Sequence, residues 1–442
     1  MVSKSGAPAR CILSALLIFG GLVKAHADTV AANPEIHPMT LAVMIEALRQ
    51  QNPQMEQARQ NYQAAKALGP QQRAPNNPQF GVVNNPIPRN PLNLGQSEFF
   101  YYTVTQSFPF WGKKSLAGDI ADEQAETSNT QIETTYLQLL AQLKSNFYQV
   151  LLLERQMEIN REGIQRLEQI KQLTKVRYAQ NAAAFVDFLN AQVAQSSAEN
   201  DQFALQKQAD TVRETLNTLI GRDPQTPLSV NGELPPQGLP ATSLSDIEGM
   251  ALEHNPAIRG SEHEVKASER GVDLAKLGYF PDFQVVLYGN SGNSGNPGNP
   301  NPPSPLAVTS TNSWGLEFDI VVPLWFYTKE RYGVQQARAT LSATQASDVA
   351  LRQQTRLAAD AAYNALAQAV AQGQFIRARQ LPESQTAYRL ALTNYSSGGV
   401  NFLDLLTAQS NLRSAQLALA QSDVGAIQAY ANLVTAVGSE VP

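Results

Sequence analysis

The stretch QSFPFWGKK, residues 106–114, closes a run of aromatic and threonine residues and opens a polar segment with no proline between Lys113 and Arg177. The chain repeats this move at VVPLWFYTK, residues 321–329. Proline has no amide hydrogen to give to a ladder, so Pro109 and Pro323 suit strand ends. In the segment after Lys114, Tyr136, Leu140, Leu143, Phe147 and Val150 step by alternating fours and threes, the spacing of a coiled-coil seam. A single helix from Lys113 to about Arg177 would span roughly 95–100 Å at 1.5 Å per residue. The alternative is two helices broken near Gly163.

Comparison of the chain with itself explains why the pattern occurs twice. LAVMIEALRQQNP at 41–53 matches LSDIEGMALEHNP at 244–256, and Pro78-Gln79-Phe80 matches Pro281-Asp282-Phe283, both at an offset of 203. Pro109 and Trp111 match Pro323 and Trp325 at 214. Tyr178, Phe185, Asp187, Leu189, Leu216 and Gly221 match Tyr395, Phe402, Asp404, Leu406, Leu433 and Gly438 at 217. An offset that grows in two small steps indicates one unit copied in tandem. The expected order within each copy is short helix, helix, strand, loop, strand, long helix, tight turn and return helix. The first repeat is placed at 28–221, a linker at 222–243, the second repeat at 244–438 and a tail at 439–442. Residues 289–305, GNSGNSGNPGNPNPPSP, read as a flexible loop inserted in the second copy. Pro382 stands inside the second long helix where the first copy has Gln165, and predicts a kink or a helix end there.

The strands alternate. Trp314, Leu316, Phe318, Ile320 and Val322 fall on one side, and Gly315, Glu317, Asp319 and Val321 on the other; the partner strand places Phe283, Val285 and Leu287 together. Such a pair suits lipid on one face and water on the other, although a half-buried soluble sheet has the same period. Residues 1–27 read as a secretory signal: Lys4 and Arg10 precede an apolar run that ends in Ala25-His26-Ala27. Removing its three cations takes the net charge from −5 to −8, which argues against a nucleic-acid partner. The only cysteine, Cys11, lies within that signal, so the mature chain has neither disulfides nor thiolate chemistry.

Four strands cannot close a membrane barrel, and an open edge in lipid leaves backbone groups unpaired. Several chains must then share one barrel: three supply 12 strands around a pore, and two supply eight around a lumen filled by side chains. The aromatics Phe108, Phe110, Trp111, Trp325, Phe326 and Tyr327 take the place of an interfacial belt, and Lys113, Lys114 and Lys329 mark the emergence into water. Glu317 and Asp319 become candidate lumen-facing residues that favour cations.

Enzymatic candidates are sparse. His37, His254 and His263 are scattered, and Glu262-His263-Glu264 lacks the second histidine of a zinc-protease helix. The six methionines, at positions 1, 39, 44, 55, 157 and 250, form no soft-metal ladder. No catalytic, metal or cofactor site is expected. The competing classes are an exported coiled-coil scaffold or adhesin stalk and, more remotely, a soluble periplasmic enzyme.

The duplicated order, the Asn-Pro motif closing residues 41–53, the QSFPFWGKK turn and the paired Tyr…Phe-x-Asp turns resemble the TolC-like outer-membrane efflux family over residues 38–438. The FPFWGKK form is most similar to its heavy-metal-resistance branch. The resemblance implies a homotrimeric channel-tunnel, a 12-stranded barrel continuous with a periplasmic α-helical barrel. It also implies partners: outer-membrane lipid, a periplasmic adaptor and an inner-membrane efflux pump of the RND type. Many members of related branches carry a lipid on the first mature cysteine, which this chain lacks. By the same resemblance, Asp187 matches an acidic residue that ties neighbouring hairpins together, Tyr395 its tyrosine partner, and Asp404 an acidic ring able to bind cations. The family's gating arginine position is Val400 here, which leaves a Tyr–carboxylate hydrogen bond as the expected latch. Alternatively, Asp187 and Asp404 stabilise the N-terminal turns of the return helices.

Overall fold

The computed structural model describes residues 38–85, 99–234, 238–292 and 312–441. The proposed signal, residues 1–27, lies outside the described residues. Two copies of one arrangement follow in order. The first comprises α1 (Leu41–Gln51), α2 (Pro53–Arg73), β1 (Gln79–Asn85), β2 (Phe99–Phe108), α3 (Lys113–Ala179) and α4 (Phe185–Leu219). The second comprises α5 (Leu244–His254), α6 (Pro256–Leu277), β3 (Asp282–Gly292), β4 (Asn312–Val321), α7 (Glu330–Phe375), a π-helical turn (Ile376–Gln380), α8 (Leu381–Ser397) and α9 (Phe402–Val437). The stretch 289–305 therefore begins inside β3, whose ladder continues to Gly292; residues 293–305 lie outside the described residues.

The Asn-Pro motifs form the same joint in both copies. Asn52 caps α2, its side-chain oxygen accepting from the amides of Gln54 and Met55, while its Nδ2 donates to the Leu219 carbonyl at the end of α4 at 2.8 Å. Asn255 caps α6 by accepting from Ala257 N, and its Nδ2 donates to the Ala436 carbonyl in α9, also at 2.8 Å. One amide thus satisfies a helix start and a helix end together, and the following proline takes the first helical position, where no amide hydrogen is needed. Gly221 and Gly438 end the return helices with φ of 74° and 86°. A Cβ on either would collide with the chain beside it, the Gln51 carbonyl at 2.4 Å or the His254 carbonyl at 2.7 Å. The positive φ and the close approach both call for glycine at these two places.

The core is duplicated as well. Met44 and Leu48 of α1 pack with Leu143, Phe147, Leu216 and Ile220, and Ile247 and Ala251 of α5 pack with Leu366, Val370, Leu433 and Val437. The coiled-coil seam is seen in this packing: Leu143, Phe147 and Val150 are buried, and Tyr136 and Leu140 pack against the same cluster. Helix α3 runs unbroken for 67 residues, about 100 Å at 1.5 Å per residue. Gly163 is buried within it and faces Gln409 and Arg413 of α9, so it permits close helix packing rather than a break.

The equivalent helix of the second copy is continuous but irregular. Proline at 382 cannot donate to the turn before it, and its ring crowds the carbonyl four residues back. The chain responds with one wide turn in which Leu381 N bonds to Ile376 O, a spacing of five instead of four. Arg377 anchors that turn to α9 by donating to both carboxylate oxygens of Asp423, at 2.9 and 3.1 Å.

The four strands form one antiparallel sheet in the order β1-β2-β3-β4, with the middle pair joining the two copies. The register gathers Phe80, Val104, Phe108, Phe283, Val285, Leu287, Leu316, Phe318 and Ile320 on one face. The other face carries Gln79, Thr103, Thr105, Ser107, Asp282, Gln284, Glu317 and Asp319. The apolar face is uncovered: Phe80 is 78% exposed, Phe318 72% and Trp314 80%. No described helix is long and apolar enough to cross a membrane.

Substitution of Asn52 by Ala removes a cap and leaves a helix-end carbonyl unpaired, so a loss of about 1–2 kcal/mol is expected. Asn255→Ala should behave alike, because the geometry is repeated. Thermal midpoints of the detergent-solubilised protein check both; an effect at only one site would show that the joints are not equivalent.

Candidate functional site

Two regions carry the residues singled out in the sequence, and α3 separates them by its full length. At the sheet end, Pro109 follows the last residue of β2 and Gly112, at φ 90°, turns the chain into α3. The turn is locked by Asp282, whose Oδ1 accepts from Phe110 N and from Lys113 Nζ, both at 2.7 Å. Phe110 is half-buried and stacks on Phe280 at 4.5 Å, and the exposed Trp111 lies 5.3 Å from Phe283. In the second copy Trp325, Phe326 and Tyr327 are all exposed, and Phe326 lies 6.5 Å from Tyr279. Glu317 and Asp319 pair with Val286 and Gln284 in the ladder and lie on the polar face, opposite the exposed aromatics.

At the far end the long helices turn back. Asn181, at φ 56°, reverses the chain between α3 and α4, and Gly398, at φ 89°, does so between α8 and α9. The two tips carry equivalent aromatic pairs, Tyr178 with Phe185 at 5.3 Å and Tyr395 with Phe402 at 6.2 Å. Their surroundings differ completely. Tyr395 is 2% exposed and Phe402 6%, within a cluster that includes Ile170 and Ala191 of the first hairpin. Tyr178 is 48% exposed and Phe185 49%. Within one chain, the second tip is therefore packed against the first hairpin while the first tip keeps a free aromatic surface.

The expected hydrogen bond between Asp187 and Tyr395 is absent. The Tyr395 hydroxyl is buried with no hydrogen-bond partner among the described residues. Burial pushes it above the ordinary tyrosine range; nearby Asp187 adds to the effect, while Thr174 and Arg177 oppose it. Thr174 spends its own proton on the Ile170 carbonyl. Asp187 and Asp404 both sit in the first turn of their helices, and the cap of α9 is Asn401, which accepts from Asp404 N. Asp404 is exposed.

Arg177 was not among the residues the sequence singled out. Its guanidinium lies over the Tyr395 ring at 4.6 Å and donates from Nη2 to the Ala182 carbonyl at 3.0 Å. Its Nε and Nη1 are buried without partners among the described residues. Val400 packs into the apolar cluster below. The tip thus has an arginine, but on the opposite hairpin from the one expected. The repeat offset concealed it, since position 394 is Asn. The apolar Val400 was the signal to seek a cation elsewhere in the tip. Among the described residues no cluster of His, Cys, Asp and Glu is disposed to hold a metal ion.

Further from the tip, polar contacts bind the two hairpins of the chain together. Arg166 of α3 donates to Gln416 of α9 at 3.0 Å, and Arg413 of α9 pairs with Asp201 of α4 at 2.7 Å.

These features can be set beside known proteins. CzcC, a cobalt-zinc-cadmium resistance protein of Cupriavidus metallidurans, is 22% identical over 308 residues, 69% of each chain. The pyoverdine export outer membrane protein OpmQ of Pseudomonas aeruginosa is 29% identical over 174 residues, 39% of this chain, which spans only 36% of OpmQ. Among solved structures, CusC superposes with a TM-score of 0.74 at 18% identity, over 90% of this chain and 92% of that one, so the two share a fold. The family described as outer membrane efflux protein matches residues 44–222 and 249–439, one segment in each copy, and the chain belongs to that family.

Proposed function

We propose that this chain is the outer-membrane exit duct of a tripartite efflux system, working as a homotrimer. The observation that carries the reading is the four-stranded sheet, with an uncovered apolar face and strands β1 and β4 at its edges. In lipid those edge groups need partners, and strands from further copies supply them; three copies make a 12-stranded barrel. The polar face, with Glu317 and Asp319, then lines the lumen, and the exposed aromatics Trp111, Trp325, Phe326 and Tyr327 meet the bilayer interface. The helical hairpins extend into the periplasm, where an adaptor and an inner-membrane pump of the RND type deliver cargo. Residues 1–27 act as the export signal, and 222–243 link the two repeats. The family is one of channels rather than enzymes. The cargo we favour is metal ions, as named for CzcC, the relative aligned over the larger share of this chain. Metal selection then falls to the pump or adaptor.

The gate lies at the hairpin tips. Arg177 supplies the cation that position 400 lacks, holding the second tip through the Tyr395 ring, with Asp187 as the nearby anion. Asp404, exposed in the first turn of α9, faces cations in the narrowed lumen. The wide turn before Pro382 gives the second hairpin a point about which to swing.

Mass measurement in mild detergent should find a trimer; a folded, stable monomer would defeat the barrel. A cation–π contact of this kind contributes about 1 kcal/mol. Arg177→Ala, which removes that contact, and Asp187→Ala, which removes the nearby anion, should therefore raise single-channel conductance in planar bilayers, whereas Tyr395→Phe, which keeps the ring, should not. If these acids only stabilise helix starts, thermal stability falls and conductance stays at the parental value. Pro382→Ala should slow export while leaving assembly intact, and equal export rates would remove the swing. Deleting the gene and challenging the strain with cobalt, zinc, cadmium, dyes and antibiotics tests the cargo: sensitivity confined to organic compounds would exclude metals.

A further inference from the structure

Three cations gather where the sheet gives way to the helices, and only two are neutralised. Arg73, at the end of α2, donates to Asp119 and Asp122 of α3. Lys113 is bound to Asp282. Lys114, half-buried on the first turn of α3, has no hydrogen-bond or ion-pair partner among the described residues. Its side chain lines a cavity of about 380 Å³ whose other walls include Phe108, Trp111, Phe283 and Arg73.

The position of this cavity identifies its occupant. Phe108 and Phe283 are directly paired across β2 and β3, and both belong to the apolar face of the sheet. The cavity therefore opens on the side that meets lipid, at the level where that side ends and charged helices begin. Its walls run from the α2–β1 connection at Arg73 and Pro75 to the bases of β2 and β3. Phe108 and Phe283 stand on the inner strands, away from the edges β1 and β4 at which further copies would pair. An aromatic wall above and one unneutralised ammonium below match an amphiphile with a hydrocarbon chain and an anionic head.

We propose that this cavity binds an anionic phospholipid of the periplasmic leaflet, its phosphate on Lys114 Nζ and an acyl chain against Phe108 and Phe283. The inference rests on the reading that the apolar face meets lipid and is independent of the gate and of the cargo. The second copy offers no equivalent, since Lys329 there is followed by Glu330, which stands at 3.8 Å from it. One such lipid per chain is expected.

Native mass spectrometry of the full-length protein, with equal amounts of phosphatidylglycerol and phosphatidylcholine of the same chain length, tests this at any oligomeric state. The wild type should retain phosphatidylglycerol preferentially. Lys114→Gln should weaken that retention about tenfold, the loss of one charge-assisted hydrogen bond, and Lys114→Arg should restore it. Equal retention by Lys114→Gln and wild type, or no preference between the two lipids, overturns the proposal. Displacement of the lipid by excess inorganic phosphate would also overturn it, making the cavity a site for the free ion. Lys114→Gln should keep the parental assembly and conductance, so that loss of lipid selectivity is read separately from any failure of the channel.

Discussion

Everything else in this protein follows from the two edges of its small sheet. A backbone amide or carbonyl left unpaired in hydrocarbon costs several kcal/mol, on the order of the whole stability of an ordinary domain when a strand's worth is summed. The apolar face of the sheet, with Phe80 and Trp314 almost fully exposed, has no use in water. On the proposed function, copies of the chain beside β1 and β4 meet that need. Helices α3 and α7 are joined directly to β2 and β4, so where the strands stand sets where these helices start.

The doubled Pro-aromatic-Trp stretch forms the turns from strand to helix. Proline follows the ladder, and Trp111, Trp325, Phe326 and Tyr327 stand exposed where the sheet gives way to helix. The first turn is then bolted across the repeat boundary by Asp282, which holds Phe110 and Lys113 from the other half of the chain. Among the described residues the second copy shows no such bolt, and it takes eight residues, 322–329, between strand and helix, against four, 109–112, in the first. Duplication supplied two equal units, and packing has made them unequal. The tips show the same divergence: one aromatic pair is buried by the neighbouring hairpin and the other is left exposed for a further surface.

The two hairpins differ in continuity too. The first is built on an unbroken α3, while the second contains one wide turn tied to α9 through Arg377 and Asp423. The hydroxyl of Tyr395 and two donors of Arg177, buried without partners among the described residues, leave the second tip less than optimally satisfied. Leaving such groups unpaired costs about 1–3 kcal/mol each, so this packing of the tips is held below its full stability.

Much of the fold was legible because it depends on local period and on repetition. The alternation in 314–322 assigned each strand residue to its face, the fours and threes from Tyr136 to Val150 marked the seam of α3, and the three offsets located equivalent joints. The Asn-Pro motifs could be aligned, but their double role could not be read, since the partner carbonyls of Leu219 and Ala436 lie far away in sequence. Likewise Pro382 announced an irregularity, and only the packed helix shows that it is absorbed by one π turn instead of a helix end. At the tip, sequence determined which residue types were present, including the missing arginine at Val400. Tertiary structure alone decided that Arg177 covers Tyr395, because that contact joins two hairpins more than two hundred residues apart, and no periodicity records which face of one helix will meet which face of another.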